Sequence, residues 1–176
     1  MEKWMVAAKR ADFKEIGERF GIEQVTARII RNRDVIGEEA IEKYLHGSRK
    51  DFYSPWLLKD MEKAVAILQE KITNKNKIRI IGDYDIDGVM STYILLVSLR
   101  GLGADADMVI PNRIMDGYGI NEHLIEQAWE DKRDTIITCD NGIAAATQIQ
   151  KAKDLGMTVI VTDHHEVPFE ETENGR

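Results

Sequence analysis

Four short apolar runs alternate with segments of helical length in the second half of the chain. The runs are IRIIG at 78–82, ADMVI at 106–110, TIITC at 135–139 and TVIVT at 158–162. The segments between them are VMSTYILLVSLRGLG, NEHLIEQAWEDK and IAAATQIQKAKDLG. Strands rich in Ile and Val that alternate with helices form βαβ units, whose parallel sheet is covered on both faces. The sequence therefore predicts an α/β fold with four or more parallel strands and helices on both faces.

The first part of the chain has a different pattern. Residues 11–72 show helical periodicity without a convincing strand, and Gly21, Gly37 and Gly47 separate the helical pieces. The pattern changes after NKNK at 74–77. We predict a helical N-terminal segment at 1–73 and an α/β domain at 74–176.

Charge and cysteine content restrict the class of protein. The single cysteine, Cys139, excludes an internal disulfide and fits a reducing compartment, and no apolar run approaches the roughly 18 to 20 residues of a membrane span. We therefore expect a cytoplasmic protein that does not bind membranes. The net charge of −7 argues against a nucleic-acid partner, but residues 1–50 carry +2 and residues 51–176 carry −9. Acidity concentrated in a metal site is compatible with a phosphate substrate.

Acidic and imidazole side chains follow the predicted strands. DYDID follows the first strand, PNRIMDGYG the second, DNG the third and DHHE the fourth. Ligands of open parallel sheets bind outside the carboxyl ends of the strands, so these clusters should converge on one edge. The candidate catalytic residues there are Asp85, Asp87, Asp140, Asp163, His164 and His165.

The composition of this set indicates a metal site. Asp85 and Asp87 share a parity, so in an extended conformation their carboxylates would lie on one side, where each raises the pKa of the other unless a cation compensates them. Carboxylates with one or two imidazoles suit Mn²⁺ or Mg²⁺ better than Zn²⁺ or copper. A calcium-binding loop of the EF-hand type is excluded because Ile94 stands where that motif needs a Glu.

Simpler explanations exist for each cluster alone. Asp140 by itself is most often a helix N-cap, and His164 with His165 fits a capping and packing pair equally well. Their joint occurrence at three strand ends favours one functional site. His46 and His123 stand in helical contexts that favour surface positions.

Three groups are candidates for substrate contacts. Arg113 follows the second strand, where its guanidinium either binds a phosphate bidentately or is solvated. Tyr118, between two glycines, is either a stacking platform for a base or a loop anchor. The helix that begins near Gly88 has an N-terminus that favours a phosphate. A basic entrance for the substrate is a further hypothesis, and it consists of Arg28, Arg31 and Arg33. Such residues more often form a solvated helix face.

GDYDIDG, PNRIMDGYG, TCDNG and TDHH, in this order and at this spacing, resemble the first three catalytic motifs of the DHH phosphoesterase superfamily. GDYD-x-DG and P-x-R-x-x-x-G-Y-G are similar to its RecJ branch of single-strand-specific exonucleases. NRDVIGEEAIEKYL and LLKDMEKAVAIL also resemble the helical region that precedes the catalytic core there. The resemblance implies a DHH-type domain and a metal-dependent 5′ to 3′ exonuclease that degrades single-stranded DNA in recombination and repair.

The resemblance also implies roles for the candidates. Two Mn²⁺ or Mg²⁺ ions would be held by Asp85 and Asp87, one each, with Asp140 bridging them and His164 ligating one. Together the ions would activate water for phosphodiester hydrolysis.

Three further residues would support these ligands by the same resemblance. Asp163 would orient the histidine or ligate the metal, His165 would contact the scissile phosphate, and Asp83 would support the site or ligate. Arg113 and His165 are thus the candidate phosphate contacts, with Tyr118 as an additional one.

The chain departs from the family pattern after His165. The family has a fourth motif, with another aspartate ligand, and a second domain that helps to hold DNA, whereas this sequence stops at Arg176. We expect a truncated chain with an incomplete first metal position and weak or no activity. Repair and recombination proteins are expected partners besides single-stranded DNA.

One alternative comes from the same superfamily and one from a different class. One is a DHH-type phosphodiesterase for short oligonucleotides or cyclic dinucleotides, or a pyrophosphatase. The helical lead and the loop with Arg113 argue against it. The other is a non-catalytic RecJ-like scaffold, in which we would expect decayed motifs, whereas Asp85, Asp87, Asp140 and His164 are all present.

Overall fold

The computed structural model describes residues 9–117 and 119–168. Three helices come first: α1 at Phe13–Phe20, α2 at Gln24–Asn32 and α3 at Glu38–His46. Two short 3₁₀ turns follow at Arg49–Asp51 and Pro55–Leu57, and then helix α4 at Met61–Thr73. The helical N-terminal segment predicted from the sequence is confirmed.

Local capping fixes the first of these helices. The carboxylate of Asp12 accepts hydrogen bonds from the backbone N–H groups of Lys14 and Glu15, which have no partner within the helix. At the other end Gly21 adopts the left-handed conformation, with φ 64°, and its N–H bonds to the carbonyl of Gly17. α1 therefore begins after the capping carboxylate of Asp12 and ends at Gly21.

The remaining elements form alternating strands and helices. The strands are β1 at Lys77–Ile81, β2 at Asp105–Val109, β3 at Thr135–Cys139 and β4 at Thr158–Thr162. The helices between them are α5 at Ile86–Gly101, α6 at Glu122–Glu130 and α7 at Ala146–Asp154. All pairings are parallel and the strand order is β2-β1-β3-β4. The predicted parallel α/β fold is confirmed.

Helices cover both faces of the sheet, as predicted. One apolar cluster joins Ile81 and Ile136 of the sheet to α6 and α7. The other joins Ile78, Ile80 and Ile137 to α4 and α5. Successive residues of a strand point to opposite faces, so that neighbours such as Ile80 and Ile81 are both fully buried in different clusters. This explains why the strands read as nearly continuous apolar runs.

Helix α4 belongs structurally with the sheet. The chain divides into two compact units between Leu57 and Leu58. Ala64, Ile67 and Leu68 of α4 pack against the cluster beneath α5. The domain boundary predicted at residues 73 and 74 stays a prediction, since it followed a change of sequence pattern rather than packing. Among the described helices none is both long and apolar enough to cross a bilayer.

An ion-pair network ties β1 to β2 away from the strand ends that carry the motifs. Arg79 is 9% exposed, and its Nε and Nη2 donate to the two carboxylate oxygens of Asp107 at 2.9 and 2.7 Å. Nη2 of Arg79 also lies 2.8 Å from Asp131, and Nη2 of Arg133 lies 2.7 Å from Asp107. Bidentate bonds of this kind satisfy a guanidinium that burial would otherwise penalise. The acidic residues of β2 are therefore structural.

Candidate metal centre

The parallel sheet brings three of the polar clusters to one edge. Asp83 follows β1 after a single glycine, Asp140 directly follows β3, and Asp163 directly follows β4. β1 and β4 both pair with β3, with Cys139 opposite Thr162. The carboxyl ends of these strands are therefore neighbours, as the sequence predicts.

One group of possible metal ligands joins the ends of β3 and β4. Asp140, His164 and His165 each offer one ligand atom, and these atoms lie within 4.8 Å of one another. Oδ1 of Asp140 lies 2.8 Å from Nε2 of His164 and 4.0 Å from Nδ1 of His165. The two imidazole rings lie 4.7 Å apart, centroid to centroid. This arrangement could hold a divalent cation through one carboxylate and two imidazoles.

A second group joins the ends of β1 and β3. Asp83, Asp85 and Asp140 also offer ligand atoms within 4.8 Å of one another. Asp83 is 1% exposed, and its Oδ1 has no hydrogen-bond partner among the described residues. A buried carboxylate oxygen without a donor is costly unless a cation satisfies it. The residues present therefore fit a cation at this position.

Asp140 belongs to both groups. It is 7% exposed, has a φ of 60° and donates its backbone N–H to the carbonyl of Thr162 at 3.0 Å. Left-handed backbone is uncommon for residues other than glycine and is often associated with functional sites. The N-cap of α7 is Ala145, so the alternative that Asp140 is merely a helix cap is wrong. Its position suits a ligand shared between two cations.

The carboxyl groups of Asp140 and Asp85 influence each other. Burial, reinforced by the charge of Asp85, raises the pKa of Asp140, while His164 opposes the shift. The hydrogen bond from the backbone N–H of Gly88 lowers the pKa of Asp85, and a bond with Asp140 acts in the same direction. Without a cation, two neighbouring carboxyl groups whose pKa values move apart favour a state in which one is protonated and the other is charged. A bound cation would favour the state in which both are charged.

The expected side-by-side placement of Asp85 and Asp87 is wrong. Asp85 is the N-cap of α5, and its Oδ1 accepts from the N–H of Gly88 at 2.9 Å. Helix α5 begins at Ile86, three residues before Val89, where the helical segment predicted from the sequence starts. Asp87 therefore lies in the first turn of the helix and not in extended chain. Among the described residues, neither group of possible metal ligands includes Asp87. It lines the adjoining cleft instead, with Ser91, Asp140, Thr162, Asp163 and His164.

Gly88 permits the close approach of α5 to the end of β1. A Cβ atom added to Gly88 would lie 2.6 Å from both the Cβ and the carbonyl oxygen of Asp83. A contact of that length requires backbone to move. The absence of a side chain at Gly88 therefore allows Asp83 to lie against the N-terminus of α5.

Asp163 orients the histidines that follow it. Its Oδ1 accepts from the backbone N–H groups of His164 and His165, at 2.8 and 3.1 Å, and lies 2.7 Å from Nδ1 of His165. Its Oδ2 accepts from the N–H of Ile143 at 2.9 Å. Burial alone would raise the pKa of Asp163, but these hydrogen bonds outweigh it and the pKa is lowered. The side-chain hydrogen bond between Asp163 and His165 raises the pKa of His165. These contacts agree with an orienting role.

Asn141 is a site-supporting residue that the sequence analysis missed. The side chain is fully buried, and Nδ2 lies within hydrogen-bonding distance of three carbonyls: Ile81 at 3.1 Å, Gly82 at 2.9 Å and Cys139 at 2.8 Å. It thereby ties the end of β1 to the end of β3, which carry Asp83 and Asp140. An amide directly after a buried strand was the available signal.

Arg113 contacts an aromatic residue of the first motif. Its guanidinium carbon lies 5.2 Å from the ring centroid of Tyr84, which the sequence analysis did not single out. Arg113 and Tyr84 stand in the loops that follow β2 and β1. Tyr118, the other predicted contact of this loop, lies outside the described residues.

Comparisons with known proteins support the motif assignment. The family model described as "DHH family, N-terminal domain" matches residues 77–175. The single-stranded-DNA-specific exonuclease RecJ of Bacillus subtilis strain 168 is 38% identical over 165 residues, which are 93% of this chain and 21% of the relative. The protein of the same name from Escherichia coli K12 is 36% identical over 140 residues, or 78% and 23%. The chain thus spans about a fifth of the curated relatives it matches.

Two solved structures are similar to the chain. Exonuclease RecJ bound to manganese has a TM-score of 0.60 and 37% identity, with 64% of this chain and 29% of that chain covered. RecJ of Thermus thermophilus in complex with Mn²⁺ has a TM-score of 0.59 and 27% identity, with 89% and 21% covered.

Proposed function

The chain belongs to the DHH family, and we propose that it forms the metal-binding part of a nuclease that hydrolyses single-stranded DNA. The observation that carries the proposal is the position of Asp140, which belongs to both groups of possible metal ligands. Two neighbouring cations that share one carboxylate are the arrangement used for hydrolysis of phosphate esters. The relatives that match over most of the chain are named as single-stranded-DNA-specific exonucleases.

The proposed cofactor is a pair of Mn²⁺ or Mg²⁺ ions. One would be held by Asp140 and His164, and the other by Asp85 and Asp140, with the buried oxygen of Asp83 nearby. Asp87 remains a proposed ligand from the resemblance, since it lines the same cleft. Oxygen ligands with imidazole favour these metals, and two similar structures contain manganese.

The side chains around the ligands have distinct tasks in this proposal. When bound, the cations would supply a nucleophile at neutral pH and neutralise negative charge on the phosphate. Asp163 holds the backbone of His164 and His165 and the ring of His165. The contact between Oδ1 of Asp163 and Nδ1 of His165 fixes the orientation of that ring. His165 is therefore suited to contact the scissile phosphate.

Arg113 is the proposed second phosphate contact. Within residues 9–117 and 119–168, the arginine ion pairs are those of Arg19, Arg31, Arg79 and Arg133. Arg113 is not among them, so no acid among these residues uses its donors. The planar guanidinium can bind two phosphate oxygens at once. Arg113 would hold the strand beside the metal centre without taking part in proton transfer.

The finer proposals rest on the resemblance of the motifs. They are a 5′ to 3′ direction of degradation, a role in DNA recombination and repair, interaction with other proteins of those processes, and a cytoplasmic location. We also expect the 176-residue chain alone to have weak activity or none, because it spans about a fifth of its relatives. A phosphodiesterase for short oligonucleotides or cyclic dinucleotides, or a non-catalytic scaffold, would be the alternative.

The test compares single-stranded, double-stranded and dinucleotide DNA as substrates of the 176-residue chain. Binding is measured in EDTA and hydrolysis with Mn²⁺ at enzyme excess. We expect preferential binding of the single strand, and any hydrolysis to be slow, metal-dependent and lost in Asp140→Asn. Failure to bind the single strand would contradict the proposed function. Preference for the dinucleotide would favour the phosphodiesterase, and processive degradation would contradict the expected weak activity.

A further inference from the structure

Tyr84 and Arg113 join two loops at the edge of the candidate centre. The guanidinium carbon of Arg113 lies 5.2 Å from the ring centroid of Tyr84, within the distance at which a cation is attracted to the face of an aromatic ring. Tyr84 stands between Asp83 and Asp85, which both belong to one group of possible metal ligands. Tyr84 therefore links Arg113 to the loop that carries two of the possible metal ligands.

The backbone around Arg113 is ordered by its own hydrogen bonds. Oδ1 of Asn112 accepts from the N–H groups of Ile114 and Met115, at 3.0 and 3.2 Å. The N–H of Asn112 donates to Oδ2 of Asp116 at 2.7 Å, and the N–H of Asp116 donates to the carbonyl of Asn112 at 2.7 Å. The turn fixes where the Arg113 side chain begins, and Tyr84 contacts its end.

Stacking and phosphate binding use different parts of a guanidinium. The ring of Tyr84 attracts the positive charge at the centre of the group, 5.2 Å from its centroid. The N–H donors of a guanidinium point outward in its plane. A stacked arginine can therefore still form two parallel hydrogen bonds to a phosphate. Arginine loses rotamer freedom when it binds, so holding the side chain in advance reduces the cost of binding.

We propose that Tyr84 is a positioning residue that holds the guanidinium of Arg113 ready for a backbone phosphate of single-stranded DNA. The inference rests on the proposed function and adds to it a specific contact between the first motif and the loop after β2. Tyr84 acts through Arg113 and has no part in the chemical step. Its aromatic face is what matters, and its hydroxyl is not required.

The test measures binding of a fluorescein-labelled single-stranded oligonucleotide to the whole 176-residue chain by anisotropy in EDTA. Tyr84→Leu, which removes the aromatic face, should weaken binding by roughly two- to fivefold, the range expected for an exposed contact of this type. Tyr84→Phe should bind as the unmutated chain does. Arg113→Gln should weaken binding and reduce the slope of log K against log salt concentration by about one.

A double variant separates positioning from general disturbance. In the Arg113→Gln background, Tyr84→Leu should have no further effect, because the two residues act as one unit. Calorimetric titration with Mn²⁺ should give the same affinity for Tyr84→Leu as for the unmutated chain. Additive effects in the double variant, a loss in Tyr84→Phe equal to that in Tyr84→Leu, or weakened Mn²⁺ binding would overturn the inference.

The proposed function can fail separately. If the unmutated chain does not bind the oligonucleotide, the function is wrong and the inference falls with it. If the unmutated chain binds and Tyr84→Leu binds equally well, only the positioning role is wrong.

Discussion

Oδ1 of Asp140 lies 2.8 Å from Nε2 of His164, although the two residues stand at the ends of different strands. β3 and β4 pair in parallel with Cys139 opposite Thr162, so the residues that follow them meet at the same edge. Asp140 also lies in a group with Asp83 and Asp85 at the end of β1. This relationship is the basis of the proposed two-cation centre, and it leads to predictions about protonation, packing and metal binding.

The first prediction concerns His165 in the metal-free chain. The hydrogen bond with Asp163 raises the pKa of His165 above its usual value of about 6.5. Asp163→Asn should lower that pKa, because the neutral amide stabilises the cationic ring less well. An NMR titration of the imidazole resonances in EDTA measures both values. An unchanged pKa in the variant would contradict the assigned bond.

The sign of the effect on stability follows from the same shift. A histidine whose folded-state pKa is raised contributes stability below its unfolded pKa, and this contribution is lost as the pH rises through the folded pKa. The contribution of His165 should therefore be present in mildly acidic solution and decrease above neutrality. Because the imidazole is solvent-exposed, the effect should be small.

The second prediction concerns the coupling of Asp85 and Asp140. Burial and the charge of Asp85 both raise the pKa of Asp140. Asp85→Asn removes only the charge, so the pKa of Asp140 should fall while remaining above its usual value of about 3.9. Carbon-detected NMR of the Asp140 carboxyl in EDTA tests this. No change in the variant would mean that burial alone causes the shift.

The third prediction concerns Gly88. Gly88→Ala should destabilise the fold by about 1–3 kcal/mol, because the new Cβ would lie 2.6 Å from Asp83. Gly101 stands in the same helix with nothing within 4 Å of an added Cβ, so Gly101→Ala is a matched control. The control should be neutral or stabilising, by up to about 1 kcal/mol. Urea denaturation of the metal-free chain compares the two, and equal stability of the variants would contradict the packing described.

The fourth prediction concerns Asn141. Asn141→Ala should lower the free energy of unfolding by about 1–3 kcal/mol, because the carbonyls of Ile81, Gly82 and Cys139 lose a buried donor. Asn74→Ala, at an exposed position after α4, should change stability by less than about 0.5 kcal/mol. Mn²⁺ affinity should fall only in Asn141→Ala, since that residue ties the two ligand-bearing strand ends together. Retained stability and affinity would show that the amide is dispensable.

The sequence was sufficient to predict the sheet because its strands are buried on both faces. Such strands appear as continuous runs of Ile and Val, and parallel strands place the residues that follow them at one edge. The neighbourhood of Asp140 with His164 follows from this rule. The start of α5 was not predicted correctly. It depends on whether the carboxylate of Asp85 caps the helix or lies in extended chain, and the spacing of the aspartates does not decide between these two conformations.

The contacts between loops could not be predicted from the sequence. The contact of Arg113 with Tyr84 depends on the turn that begins at Asn112, whose conformation is set by hydrogen bonds between residues of no periodic pattern. The role of Asn141 depends on three carbonyls that come together only after the strands pair. Periodicity predicts which residues are buried but not which buried amide meets which carbonyl.

The most direct test is calorimetric titration of Mn²⁺ into the metal-free chain beside Asp140→Asn and Asp60→Asn. Asp60 is an exposed aspartate that also has a left-handed backbone, with φ 58°, and it lies outside the donor groups found among the described residues. We expect the unmutated chain and Asp60→Asn to bind one or two ions, and Asp140→Asn to lose that binding. Binding that Asp140→Asn retains, or no binding by the unmutated chain, would contradict a metal centre built on Asp140.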